Sequence, residues 1–372
     1  MKILEVCTSR SWGGMEMRTL KISDYFLRAG HDVTFLCYPN SSLNMEAKQT
    51  GIKTIEFPFL KIPYLSLILK FRKIIKEHKF EIIHVQYSRD LQFIVPAIKR
   101  IKPKIPIVLT KRVGSYINKK DLYHKYLYSR VDLVTTISKV IKQNVIDTCP
   151  IDPDKVEIIY NGINIDKFQK NLKDRDTVRK EMNINDEIVV GIFGRLSPGK
   201  GHEEFLMAAK MISDKKLNVK FWIVGNASYG EDEYAKSIYA LAEELKVGDS
   251  VSFLGYHKDI AKLMAAADII AVPSHAEAFG NVAIEGMAAA KPVVASNTDG
   301  LLDIVVDGET GIQIPPKNST ALSKALIKLI NDDDLRKRLG EAGLQRAAKM
   351  FDEEKQFKKF ESRFIELIES VS

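Results

Sequence analysis

The stretch PSHAEAFGNVAIEGMAAAKPVVASNTDGLLDIVVDGETG, residues 273–311, decides the fold. At its start DIIAVPS (268–274) reads as a buried strand, an apolar run stopped by proline and serine. The loop HAEAFG leads into NVAIEGMAAA, which is rich in helix formers, and KPVVAS reads as the next strand. Strand, loop, helix and strand in this order build a parallel α/β sheet, and ligands of such sheets bind beyond the strand ends.

Two glutamates stand eight apart across the junction: Glu277 in the loop and Glu285 about one turn inside the helix, with Gly280 between them. A loop carboxylate can accept from a sugar hydroxyl, and one a turn deeper from a ribose diol. The helix start at Asn281 and Val282 offers unpaired N–H groups and a positive dipole end to a phosphate. On these residues alone, a surface loop before an ordinary core helix explains the pattern equally well.

The same alternation runs through the chain. Strands are expected at 3–9, 32–38, 51–57, 81–86, 105–111, 132–138 and 155–160, and again at 187–194, 219–225 and 250–255. Between the two series DKFQKNLKDRDTVRKEMNINDE (166–187) is charge-rich and reads as a linker. With 372 residues, 45% of them hydrophobic and 28% charged, the chain suits two globular α/β domains. The terminal FDEEKQFKKFESRFIELIESV reads as an amphipathic helix.

Composition excludes several classes. Cys7, Cys37 and Cys149 form no metal or disulfide spacing, which favours a reducing compartment. No apolar run approaches membrane-spanning length, and MKILEVCTS is too short in apolar length for a signal peptide. The net charge of +8 is uneven: +13 over residues 1–170 and −5 over 171–372. Segment 61–80, KIPYLSLILKFRKIIKEHKF, reads as a basic amphipathic helix, either core-packed with a solvated face or lying on an anionic membrane leaflet. No nucleic-acid-binding motif accompanies the basic charge.

Four ordered segments carry a family resemblance: the glutamate pair with PS before it and KPVVAS after it; GRLSPGKG (194–201); IIYNGINIDKF (158–168); and SWGGMEMRTLKISDYFLRAGHDVTFLC (11–37). Together they resemble glycosyltransferase family 4, retaining enzymes of the GT-B fold. WGGMEMRT looks most like the branch that builds lipopolysaccharide and related surface glycans. The resemblance implies two Rossmann-like domains facing a central cleft: an acceptor-binding domain over 1–170 and a nucleotide-sugar-binding domain over 171–352. It also implies that a C-terminal helix, 353–372, packs back on the first domain.

Site roles follow from the same resemblance. Arg195 and Lys200 are expected at the donor pyrophosphate, Glu277 at the donor sugar and Glu285 at the ribose. Gly13, Gly14, Gly280, Asn281 and Val282 join them as donor-binding positions, and Gly199 and Gly201 let backbone approach the phosphates. Gly225 and the loop Gly255-Tyr256-His257-Lys258 are placed near the base. Candidate acceptor-side residues are Glu16, Arg18, Lys111 and Arg112.

The chain departs from the family pattern on the acceptor side. TKRVGS puts Lys111 or Arg112 where many members carry a histidine, Gln86 replaces another, and His84 is either packed or functional. Asp299-Gly300 replaces a double glycine, and Asp303 replaces a glutamate. There is no Asp-x-Asp motif near a strand end; Asn331-Asp332-Asp333-Asp334 reads as a helix cap. The expectation is a metal-independent transferase without a cofactor. A nucleotide-diphosphate sugar is its co-substrate and a lipid-linked or lipopolysaccharide-type glycan its acceptor. The expected location is cytoplasmic, peripheral on the inner face of the cell membrane. A soluble acceptor, a catalytically silent nucleotide-sugar-binding protein and an epimerase are the alternatives.

Overall fold

The computed structural model describes residues 1–59, 63–101, 103–228 and 230–371. It divides into two compact units: Met1–Tyr160 with the segment from Glu354 onward, and Asn161–Glu353.

The first unit holds a seven-stranded parallel sheet. Its strands are β1 (Lys2–Cys7), β2 (Asp32–Cys37), β3 (Lys53–Glu56), β4 (Ile82–Val85), β5 (Ile107–Lys111), β6 (Leu133–Thr136) and β7 (Val156–Ile158), in the order β3-β2-β1-β4-β5-β6-β7. The central strands are mostly apolar because helices cover both faces, and the exceptions, Glu5 and His84, are buried against each other. Ile3, Leu4, Val6, Ile82, Ile83 and Val85 are all fully buried. The edge strand β3, KTIE, carries charge at both ends, which discourages pairing with another chain.

The second unit repeats the plan with six parallel strands: β8 (Ile188–Phe193), β9 (Val219–Val224), β10 (Val251–Gly255), β11 (Ile269–Val272), β12 (Val293–Ser296) and β13 (Gly311–Ile314). Their order is β10-β9-β8-β11-β12-β13. In both sheets the order reverses once, between β1 and β4 and between β8 and β11. Helices leave in opposite directions at such a point and open a crevice beyond the carboxyl ends of the two strands.

Three expectations change. The segment expected to be a linker forms helices Ile165–Asn171 and Arg175–Glu181. Both pack on the Ile260–Ala266 helix of the second unit. Arg175 and Arg179 fix the second of them by donating to Asp268 at 2.5 and 3.1 Å. The first unit's continuous stretch therefore ends at Tyr160 rather than at residue 170. Strand β13, GIQI, was not expected; its short alternating run gives little periodic signal.

The terminal helix Glu353–Glu369 belongs almost wholly to the first unit. Phe357, Phe360 and Phe364 recur at helical spacing and join Ile3, Tyr25, Phe26 and Phe35 in one core cluster. Phe364 lies 5.3 Å from Phe26, and Phe357 lies 5.3 Å from Tyr25, centroid to centroid. Burial of each ring contributes about 1.5–3 kcal/mol.

Candidate active site

In the second unit, the crevice between β8 and β11 is a cavity of about 240 Å³ lined by Gly194, Arg195, Lys200, Glu277, Gly280, Asn281 and Val282, among others. Two loops shape it. His275 N–H donates to the Gly199 carbonyl at 2.8 Å, which ties residues 194–201 to residues 273–280. Gly201 is left-handed at φ 80°, and a Cβ there would stand 2.2 Å from the Pro273 carbonyl oxygen. Gly280 caps the Asn281–Ala288 helix at φ 110°, with a Leu301 methyl 2.5 Å from where its Cβ would be. Only glycine fits either position.

Lys200 Nζ and Glu277 Oε2 are 2.5 Å apart, so the two residues expected at phosphate and sugar hold each other. Arg195 is exposed, and its guanidinium donates to Ser228 Oγ at 3.2 Å. Behind it Glu231 accepts from Ser197 Oγ at 2.6 Å, which holds the Glu231 carboxyl below its usual range. Glu285 is half-buried on the helix, beyond the residues that line this cavity. Gly225 packs on the site from beneath: at φ 142°, a Cβ there would stand 1.8 Å from the Gly194 carbonyl oxygen.

One supporting residue was missed. Asp299, in the place of the family's glycine, is left-handed at φ 45° and accepts the Glu277 N–H at 3.1 Å. Aspartate tolerates this conformation better than most side chains. A hydrogen bond across more than twenty residues leaves no local sequence signal. Next to it Gly300 donates its N–H to the Glu277 carbonyl at 2.9 Å. Glu277 is thus held by its backbone on both sides.

In the first unit, a cavity of about 640 Å³ opens beyond β1, β4 and β5. Gly14, Glu16, Gln86, Lys111, Arg112 and Lys119 are among its lining. Gly14 opens the Gly14–Arg28 helix, and a Cβ there would meet nothing within 4 Å. Gly13 is extended, with φ and ψ both at −163°. Glu16 is buried in the first turn. Arg18 is placed differently from expectation. Its guanidinium lies 4.4 Å from the centroid of the Phe357 ring, and it is not among the residues lining the cavity.

The two cations of TKRVGS differ. Arg112 donates to Gln86 Oε1, and burial pushes its pKa down to about 10, so it stays charged at neutral pH. Burial and the neighbouring Lys119 lower the Lys111 pKa. Gln86 in turn donates to Glu5 Oε2 at 3.0 Å, and Glu5 pairs with His84 Nδ1 at 2.8 Å. His84 is fully buried, with its other nitrogen on Thr110 Oγ1 at 2.7 Å, so it is a packed strand residue. The cavity's outer edge is apolar: Val113, Ile117 and Tyr116 are exposed, Tyr116 to 98%.

Among the described residues no group of three or more His, Cys, Asp or Glu is placed to hold a metal ion. Asp332 caps the Asp333–Met350 helix by accepting the Leu335 N–H. No described helix is long and apolar enough to cross a membrane.

Comparisons with known proteins agree with this geometry. Residues 174–346 match the family model described as glycosyl transferases group 1, and residues 12–167 match glycosyltransferase family 4. The uncharacterized glycosyltransferase MJ1178 of Methanocaldococcus jannaschii is 30% identical over 77% of this chain and 76% of its own length. A Campylobacter jejuni protein, N-acetylgalactosamine-N,N'-diacetylbacillosaminyl-diphospho-undecaprenol 4-alpha-N-acetylgalactosaminyltransferase, is 28% identical over 80% of this chain and 79% of its own. The crystal structure of Anabaena Alr3699/HepE in complex with UDP superposes with a TM-score of 0.85 at 24% identity, over 98% of this chain and 100% of that one.

Proposed function

Because the chain belongs to the glycosyltransferases of group 1 and family 4, with the GT-B fold, we propose that it moves a sugar from a nucleotide-diphosphate donor to a phosphate-bearing, lipid-linked glycan acceptor. The donor enters the second unit's cavity with its diphosphate and sugar, and its ribose reaches past the cavity lining to Glu285. Arg195 and Lys200 stabilise the leaving diphosphate, which is where charge develops. Glu277 accepts from the sugar hydroxyls and Glu285 from the ribose. The backbone at Gly280, Asn281 and Val282 meets phosphate and sugar. Transfer is metal-independent and retaining. The acceptor oxygen attacks the anomeric carbon on the face the phosphate leaves, and its proton passes to the departing phosphate oxygen.

One observation supports the acceptor class: the first unit's cavity combines Lys111, Arg112 and Lys119 with an exposed apolar rim at Val113, Tyr116 and Ile117. Cations suit a phosphate, and the rim suits the tail that carries it. The C. jejuni relative is named for a diphospho-undecaprenol acceptor, in line with this reading. The helix Tyr64–His78 supports a place on an anionic membrane face. Leu67, Phe71, Ile74 and Ile75 anchor it in the core, while Leu65, Leu69, Lys73 and Lys76 face outward. The first two residues of the segment read as this helix, Lys61 and Ile62, lie outside the described residues.

The test is thermal stabilisation by a panel of nucleotide diphosphates and their sugar conjugates, followed by transfer to polyprenyl-diphosphate-linked and water-soluble acceptors. A ligand at a hundredfold excess over its Kd should stabilise the chain by about 2.7 kcal/mol. One selective donor, weakened by Lys200→Ala or Glu285→Ala, with transfer to the lipid-linked acceptor, supports the reading. Transfer only to water-soluble acceptors overturns the acceptor class. No stabilisation by any donor overturns the donor site.

A further inference from the structure

A further cavity, of about 770 Å³, lies at the other end of the first unit's sheet. Phe80 and Glu81 line it just before β4, and Pro103, Lys104 and Ile105 just before β5. The acceptor cavity opens beyond the opposite ends of these strands, about 15 Å away. The two cannot share one small ligand.

Floor and rim differ sharply. Ile75, Phe80, Ile101, Ile105, Ile368 and Val371 form an apolar floor. Five cations stand around it. Lys104 is held by Asp132, and the single acid, Glu81, already accepts the Lys2 N–H at 2.6 Å. Arg72, Lys76, Lys79 and Arg100 have no carboxylate within ion-pair distance among the described residues. Four uncompensated cations over a greasy floor form a complement to a molecule with an anionic head and an apolar tail. The volume is that of a small-molecule site. Arg72 and Lys76 lie on the Tyr64–His78 helix, and Lys79 ends it, so the cavity continues the outward face that carries Leu65 and Leu69.

We propose that this cavity binds one anionic phospholipid, with the phosphate among Lys76, Lys79 and Arg100 and an acyl chain along Ile101, Ile105 and Ile368. The site is separate from catalysis and does not rest on the transferase reading. It would hold the Tyr64–His78 helix against a leaflet by its carboxyl end.

Calorimetric titration of the full chain with dihexanoyl-phosphatidylglycerol, kept below its micelle concentration, tests this. The controls are dihexanoyl-phosphatidylcholine and glycerol phosphate. The expected result is saturable binding of one phosphatidylglycerol per chain, at least about tenfold tighter than either control. The exposed double variant K79E/R100E should weaken it by at least about tenfold and leave thermal unfolding and donor-induced stabilisation unchanged. Binding that the double variant leaves intact overturns the proposal. So does glycerol phosphate binding as tightly as the lipid, which marks a plain anion site. Absence of saturable binding overturns it as well.

Discussion

At 2.5 Å the Lys200–Glu277 pair is close, yet its side chains keep 32% and 21% of their exposure. Partly hydrated ion pairs contribute at most about 1 kcal/mol. Lys200→Ala should therefore shift the unfolding midpoint little, while turnover falls by about 10²–10³-fold. Parallel melts and rate measurements check this; unfolding large enough to explain the lost turnover would refute it. Two glycines separate space from strain. Gly14→Ala meets open room in a helix's first turn and should keep or slightly raise stability, while the acceptor KM changes. Gly201→Ala meets a carbonyl oxygen at 2.2 Å in a left-handed conformation and should destabilise by more than about 1 kcal/mol. Chemical denaturation of both variants checks the contrast. That Arg195, Lys200, Glu277 and Gly280 belong together was legible through the family resemblance of 194–201 and 273–311, and all four line one cavity. The places of Arg18 and Asp299 were not legible, because Phe357 and the Glu277 amide reach them only through the folded chain.

Among the elements, the strands were legible from their apolar runs, and their ends moved by at most two residues. The segment 166–187 misled because its helices are short and mostly solvated, so charge masks a narrow apolar face of Ile165, Phe168 and Val178. The terminal helix was legible as amphipathic, and its value now follows from its contacts. Tyr25 donates to Glu361 at 2.9 Å, and three phenylalanines enter the first unit's core. A chain ending at Asp352 should leave that core open. Limited proteolysis of the shortened chain should then cut within 1–160 and spare 161–352. Uniform resistance would show that the helix is dispensable.

At the scale of the whole molecule, two buried groups give the units opposite responses to acid. His202, in the second unit, is pushed down to about 4 by burial. It takes up fewer protons folded than unfolded, so its contribution is present above about pH 6.5 and is lost as pH falls toward 4. Its full size is on the order of 3 kcal/mol. Asp90, in the first unit, is pushed up to about 6 by burial, against which Thr8 donates twice. Its folded form holds the extra proton, so its contribution is present at low pH and is lost as pH rises through 6. Scanning calorimetry between pH 4 and 7 should show His202→Gln flattening the acid loss in one transition and Asp90→Asn flattening the opposite slope in the other. Identical pH profiles for wild type and variants would contradict both assignments.

If the donor binds as proposed, the Lys200–Glu277 contact would act as a link shared by its two halves. An ammonium has three donors and a carboxylate two oxygens, so a phosphate can join Lys200 and a sugar hydroxyl can join Glu277 while the pair stays closed. A molecule that carries both groups would complete one continuous hydrogen-bonded chain through the pair, and either fragment alone would complete half of it.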